Sequence, residues 1–334
     1  MAAELSVTEE GMVEMAYLLR DGVPWHGDGQ PVLDEEARDR KVWGEKSNMD
    51  KFFFKTAPVL FYDEETDQVL SMPGKVAAYR SDNKRGIEVV SPGYKFVQPP
   101  EVLDFFTDII EGLGYQMTTC GVLFGGKRFW AQATTGDEAM IGGVDKVKDS
   151  ILLATGFLGS TVAMRTMTRV VCWNTWQQAM RGGGKVKVSH STEFNASQVK
   201  KDLGLNLSTF QESIEIMEIL ANIPMKEAAA LDYFGRVFEM YEGDNAEASS
   251  EERIQIAASS KIVMGCYELF CGDAKGSDLK TADGTLWGAF NSVTEYADHV
   301  RKTQTNDSRI DSAWFGPYAN VKNRAWDEAV LMAA

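Results

Sequence analysis

Cysteine, histidine and basic charge are all scarce in this chain of 334 residues. The four cysteines, Cys120, Cys172, Cys266 and Cys271, are too few for a disulfide framework, and no C-x-x-C occurs. With only His26, His190 and His299 to add, a zinc site would need distant segments, so neither a metal nor a disulfide is expected. Basic residues number 34 against 49 acids, a formal charge of −15, which excludes a uniformly basic nucleic-acid glove. Glu4, Glu9, Glu10 and Glu14 all precede the first base, Arg20, a poor start for a secretory or mitochondrial leader. The longest uncharged hydrophobic stretch, 150–164, falls short of the ~20 residues that span a bilayer. The expectation is a protein of the cytoplasm with no membrane partner.

Sequence motifs of catalysis are missing as well. Gly125-Gly-Lys-Arg128 and Gly183-Gly-Lys-Val186 lack the hydroxyl and the upstream glycine spacing of a P-loop. There is no H-E-x-x-H, no G-x-S-x-G and no dinucleotide fingerprint. A site built from Cys172, Asn174 and His190 is conceivable, but nothing in the sequence selects it. No catalytic residue and no cofactor is assigned.

What the sequence does have is contrast. Residues 151–200 carry six bases and one acid, whereas residues 201–250 carry three bases and ten acids. Texture changes at the same place. Residues 1–50 read as an arm of loops and short helix. Residues 51–202 read as an α+β core, an antiparallel sheet with packed helices that includes the basic segment. Residues 203–334 read as a mostly helical, acidic domain. Within the core, 57–62 and 68–72 form a hairpin around the acidic turn Asp63-Glu-Glu-Thr-Asp67. Further strands are expected over 115–123, 128–134, 151–157 and 162–170, and helices over 101–112 and 172–180. Pro224 is read as opening a helix, with others over 250–270, 286–301 and 321–332.

Cations and aromatics interleave in that core. Lys127-Arg-Phe-Trp130 follows a glycine turn, and Arg165 and Arg169 share one face of a strand. Trp173 and Trp176 follow, and Arg181, Lys185 and Lys187 surround a triglycine. Single-stranded nucleic acid is held by such combinations, with cations along the phosphates and aromatic faces under the bases. The candidate binding set is therefore Lys127, Arg128, Arg165, Arg169, Trp173, Arg181, Lys185 and Lys187. Two alternatives stand beside it: the tryptophans as core, and Arg165 and Arg169 as partners of the chain's many carboxylates.

Several stretches resemble the phage/plasmid-like proteins of the domain-of-unknown-function 932 family. They are Pro24-Trp-His-Gly27, Tyr94-Lys-Phe-Val-Gln98, Gly121-Val-Leu-Phe-Gly125, Arg128-Phe-Trp130, Arg169-Val-Val-Cys-Trp-Asn-Thr175 and Val188-Ser-His190. Near the C-terminus they continue in Thr285-Leu-Trp-Gly288 and Asn291 to His299. The resemblance implies a mobile-element protein acting in a bacterial cytoplasm. The order of elements is similar to the core of Red-beta-type single-strand annealing proteins. This implies a protein that binds and anneals single-stranded DNA in replication or recombination, assembled as a homo-oligomeric ring or filament. The alternative is a non-catalytic protein whose acidic helices engage or block a host or phage partner.

Overall fold

The computed structural model describes residues 14–21, 29–156, 161–177, 185–188, 201 and 207–334. Mixed α and β architecture is borne out, with strands in the N-terminal and middle part and helices dominating the C-terminus. The chain divides into two compact units, one of residues 1–133, 152–163 and 187–196, the other of 134–151, 164–186 and 197–334.

One sheet has the order β10-β9-β8-β7-β6-β1-β2, with β11 also paired to β9. Its strands are β1 Met15–Leu18, β2 Gln30–Val32, β6 Gln116–Leu123, β7 Arg128–Ile141, β8 Asp145–Gly156, β9 Thr161–Arg169, β10 Asn174–Gln177 and β11 Lys185–Val188. β1 runs antiparallel to β6 and parallel to β2. A second sheet is the meander of β3 Phe54–Asp63, β4 Gln68–Arg80 and β5 Gly86–Val90. The expected hairpin is thus part of a three-stranded meander, because β4 runs on to Arg80 and pairs with β5 as well.

In the first unit, α1 Arg40–Lys46 and α2 Pro99–Leu113 are the helices among the described residues longer than a single turn. Pro99 and Pro100 occupy the first turn of α2, where a missing N–H costs nothing. The Gln98 N–H donates to Glu101, and Gly114 ends the helix in the left-handed region at φ 74°. The apolar side of α2 (Val102, Leu103, Phe106, Ile109, Ile110 and Leu113) is buried. That spacing is what a single core-facing stripe requires.

The second unit holds α3 Leu207–Asn222, α4 Glu227–Val237, α5 Ser250–Ser259, α6 Lys261–Glu268, α7 Leu286–Glu295, α8 Asn306–Trp314 and α9 Pro317–Ala333. Sequence expectation differs at four places. Residues 174–177 are strand instead of helix, following a tight turn. Pro224 does not open α4 but bridges to Thr285 three residues earlier. Ser260 is extended and caps α6, which breaks the expected 250–270 helix in two. The terminal helix is preceded by a separate α8, with Gly316 extended between the two. The core of this unit centres on Trp176, whose ring stands edge-on to Phe290 at 5.2 Å and to Trp287 at 5.8 Å. Trp176 is therefore core, the first of the two alternatives above. No helix of the described residues is long and apolar enough to cross a membrane.

Candidate functional site

The two arginines that most strongly suggested a phosphate track are buried. Arg165 and Arg169 do share one side of β9, as alternation requires, but that side faces carboxylates four residues apart on β8. Arg165 grips Asp149 with two bonds, Nε to Oδ1 at 2.8 Å and Nη2 to Oδ2 at 3.0 Å. Arg169 Nε lies 2.8 Å from Asp145 Oδ2, and its other nitrogens donate to the carbonyls of Lys275 and Gly276. Neither guanidinium reaches solvent, with 0% and 1% of the residue exposed. This corrects their assignment to an open groove: a fully desolvated, bidentate pair has no donor facing a passing phosphate.

Of the two, Arg169 reaches the turn that follows β9, where its guanidinium lies against the Cys172 thiol. Trp173, half-buried, holds φ at +58°, a region that bulky residues rarely occupy. The helical end Asn291 to His299 secures this turn. His299 Nε2 lies 3.0 Å from both the Cys172 carbonyl and Asn174 Oδ1, so this nitrogen carries the proton and donates to them. The Thr175 N–H donates to Asp298 at 3.0 Å, and Lys322 donates to the other oxygen of Asp298 at 2.8 Å. Asn174 donates to the Asn291 carbonyl. Burial lowers the His299 pKa below its ordinary 6.5 and pushes the Cys172 thiol up to about 12. A thiol so held is protonated and not nucleophilic. These contacts make the cluster a structural brace. Among the described residues no three potential ligands converge to hold a metal ion. His190 and Arg181 lie outside the described residues, as do the side chains of Lys185 and Lys187.

A different arrangement is present in the first unit, where a pocket is lined by Phe54, Tyr94, Lys95, Phe96, Phe129 and Thr155, among others. The Tyr94 and Phe96 rings stand edge-to-face with centroids 4.9 Å apart, and Phe54 lies 5.9 Å from Phe96 and 6.2 Å from Phe129. Two features of the sequence hold this together. Gln98 acts like a strand neighbour to Phe54, accepting its N–H at 2.8 Å and donating to its carbonyl. The turn at 124–127 settles directly on the rings, since a Cβ on Gly126 would stand 3.1 Å from Phe54. Arg80, wholly buried at the end of β4, braces the same turn. It lies 3.7 Å from the Phe52 ring centre, bonds Glu14 and Asp82, and donates to the Gly125 carbonyl.

One cation lines this pocket and two more lie at the neighbouring 124–127 turn. Lys95 is exposed and makes no ion pair among the described residues, and the Arg85 guanidinium lies over Gly125. Lys127 is half-exposed and pairs with Glu88 at 3.2 Å, an exposed contact of small energetic weight. Strand alternation puts Arg128 on the face opposite Phe129, together with the buried Trp130. Of the residues proposed from sequence, Lys127 is the one placed beside the aromatic pocket. Lys95 and Arg85 were missed, although Lys95 lies between two aromatics in Tyr94-Lys-Phe96, which was a readable signal.

No curated protein and no solved structure matches the chain. The model of the Domain of unknown function (DUF932) matches residues 86–314, which takes in Tyr94 to Gln98, both buried arginines and the His299 brace. The chain belongs to the DUF932 family.

Proposed function

We propose that the protein binds single-stranded DNA and anneals it, with bases against the Tyr94 and Phe96 rings and phosphates against Lys95, Lys127 and Arg85. The observation that carries this reading is the aromatic pocket lined by Lys95, an exposed lysine with no ion pair among the described residues. Aromatic faces accept any base, and neighbouring cations follow the backbone, so the combination suits a strand without sequence readout. Relative to the sequence reading, the binding set moves from the Arg165 and Arg169 strand to the Tyr94-to-Gln98 segment.

Anisotropy of a labelled oligodeoxynucleotide at two salt concentrations tests the proposal. Binding should weaken steeply with salt, in proportion to the phosphates neutralised. Tyr94→Ala should weaken it by roughly 5- to 100-fold, the cost of one lost stacking platform, and Lys95→Glu should lower both affinity and salt slope. Absence of binding at low salt, or full affinity in both variants, overturns the reading.

A further inference from the structure

The far half of the β3-β4 hairpin projects as a two-stranded arm with apolar residues on both faces. Tyr62 and Val69 are cross-strand partners on one face and are 57% and 64% exposed. Phe61 and Leu70 are partners on the other, at 46% and 37%, and Leu60 and Met72 extend the two patches. A free two-stranded ribbon is at best marginally stable in water, and exposed apolar patches of this kind mark contact surfaces. Its tip is strongly acidic. Between Lys55 and Lys75 the chain holds Asp63, Glu64, Glu65 and Asp67 and no base.

We infer that this arm docks on the cationic rim of the aromatic pocket in a second copy of the chain. Charge complementarity selects the occupant. The arm tip carries four carboxylates; in the same unit Lys95 lines the apolar pocket, while Arg85 over Gly125 and Lys127, paired with Glu88 at the surface, lie at the 124–127 turn that packs against Phe54. An acidic arm is repelled by nucleic acid and by anionic lipid, which leaves a basic protein surface with apolar character. The arm cannot serve its own pocket. Phe54 lines that pocket at the base of β3, and nine residues of strand carry the tip about 30 Å away. The contact joins two different patches, so it either closes reciprocally in a two-fold dimer or propagates head-to-tail into rings or filaments. Open edge pairing between arms is blunted by Pro58 and the irregular register beside it. The inference rests on the rim and the arm alone; the arm and a nucleic-acid strand would use the same cations and so compete for them.

Light scattering on the full chain without nucleic acid tests it. Wild type should show a concentration-dependent mass that is a multiple of 37.0 kDa and falls with salt. Two charge-reversed variants, Asp63→Lys/Glu64→Lys/Glu65→Lys at the tip and Lys95→Glu/Lys127→Glu at the rim, should each run as monomers. An equimolar mixture of the two should assemble again, because each reversed patch now meets an opposite one. A monomeric wild type, unchanged assembly in either variant, or a mixture that stays monomeric overturns the inference. The tip variant retains the pocket, so its oligonucleotide affinity reports separately on the proposed function. The altered side chains lie at the surface, and circular dichroism of each variant should match wild type.

Discussion

Arg169 on β9 and Asp145 on the neighbouring β8 lie 2.8 Å apart, in a site that also receives the indole N–H of Trp287 on the same carboxylate. With Arg165 and Asp149 they form two rungs of a buried ladder, with equal four-residue spacing on each strand. Removing one partner of such a pair strands an uncompensated charge, so Arg165→Ala should destabilise the fold by about 3–5 kcal/mol. The paired Arg165→Ala/Arg169→Ala variant should fail to fold. Replacing both members by apolar groups, as in Arg165→Met/Asp149→Leu, should recover most of the loss. Urea denaturation of the single and double variants decides it. A singly substituted protein of near wild-type midpoint would show that the pair bears little of the stability.

Thiol chemistry separates the structural from the catalytic reading of Cys172. Cys120, Cys172 and Cys266 are buried, and burial raises each pKa, to about 12 for the first two. Cys271 is exposed. Iodoacetamide at neutral pH should therefore label one site in the native protein and four after denaturation. Peptide mass mapping reads the result. Rapid native labelling of Cys172 would restore the case for a nucleophile.

The His299 brace should make stability depend on pH. Desolvation is the main cause of its lowered pKa, opposed by Asp298 and reinforced by Lys275 and Lys322. A folded state that holds the ring neutral binds fewer protons than the unfolded chain, whose histidine titrates near 6.5. The contribution is fully present above pH 6.5 and declines as pH falls below it, by at most about 1.4 kcal/mol per pH unit. Burial raises the nearby Glu295, which acts with the opposite sign, so the useful quantity is a difference. Wild type minus His299→Gln, measured by urea midpoints from pH 5 to 8, should lose stability toward acid. A flat difference would mean that the ring is protonated in both states or neutral in both.

Legibility in the sequence followed the range of the signal. Helix α2 was readable because its prolines, stripe and terminal glycine are all local. The expected helix over 172–180 misled because Trp173 to Gln177 has no period of its own, and residues 174–177 become strand by pairing with β9. The arginines illustrate a further gap. Their spacing correctly put them on one face, yet which face is buried depended on Asp145 and Asp149, outside the basic window 151–200. The net charge of that window counted as free two cations that are neutralised inside the fold. The Tyr94-to-Gln98 motif was recognised by resemblance, but its pocket needed Phe54 and Phe129, 40 and 35 residues away in sequence.

Adjacent glycines in the 124–127 turn should respond differently to alanine. Gly125 has φ +66°, within the left-handed region that an alanine tolerates at about 1 kcal/mol, and its new Cβ would meet only the movable end of Arg85. Gly126 has φ +118°, outside that region, and its new Cβ would press at 3.1 Å on the Phe54 ring. That ring is buried and packed against Phe96 and Phe129, with its backbone held by Gln98, so it can yield only by moving into the pocket it lines. Gly126→Ala should therefore destabilise the fold by about 1–3 kcal/mol more than Gly125→Ala. By displacing a wall of the pocket, it should also weaken oligonucleotide binding at temperatures where it remains folded. Equal losses of stability in the two variants would show that the turn is free to move away from Phe54, and that the aromatic pocket does not depend on it.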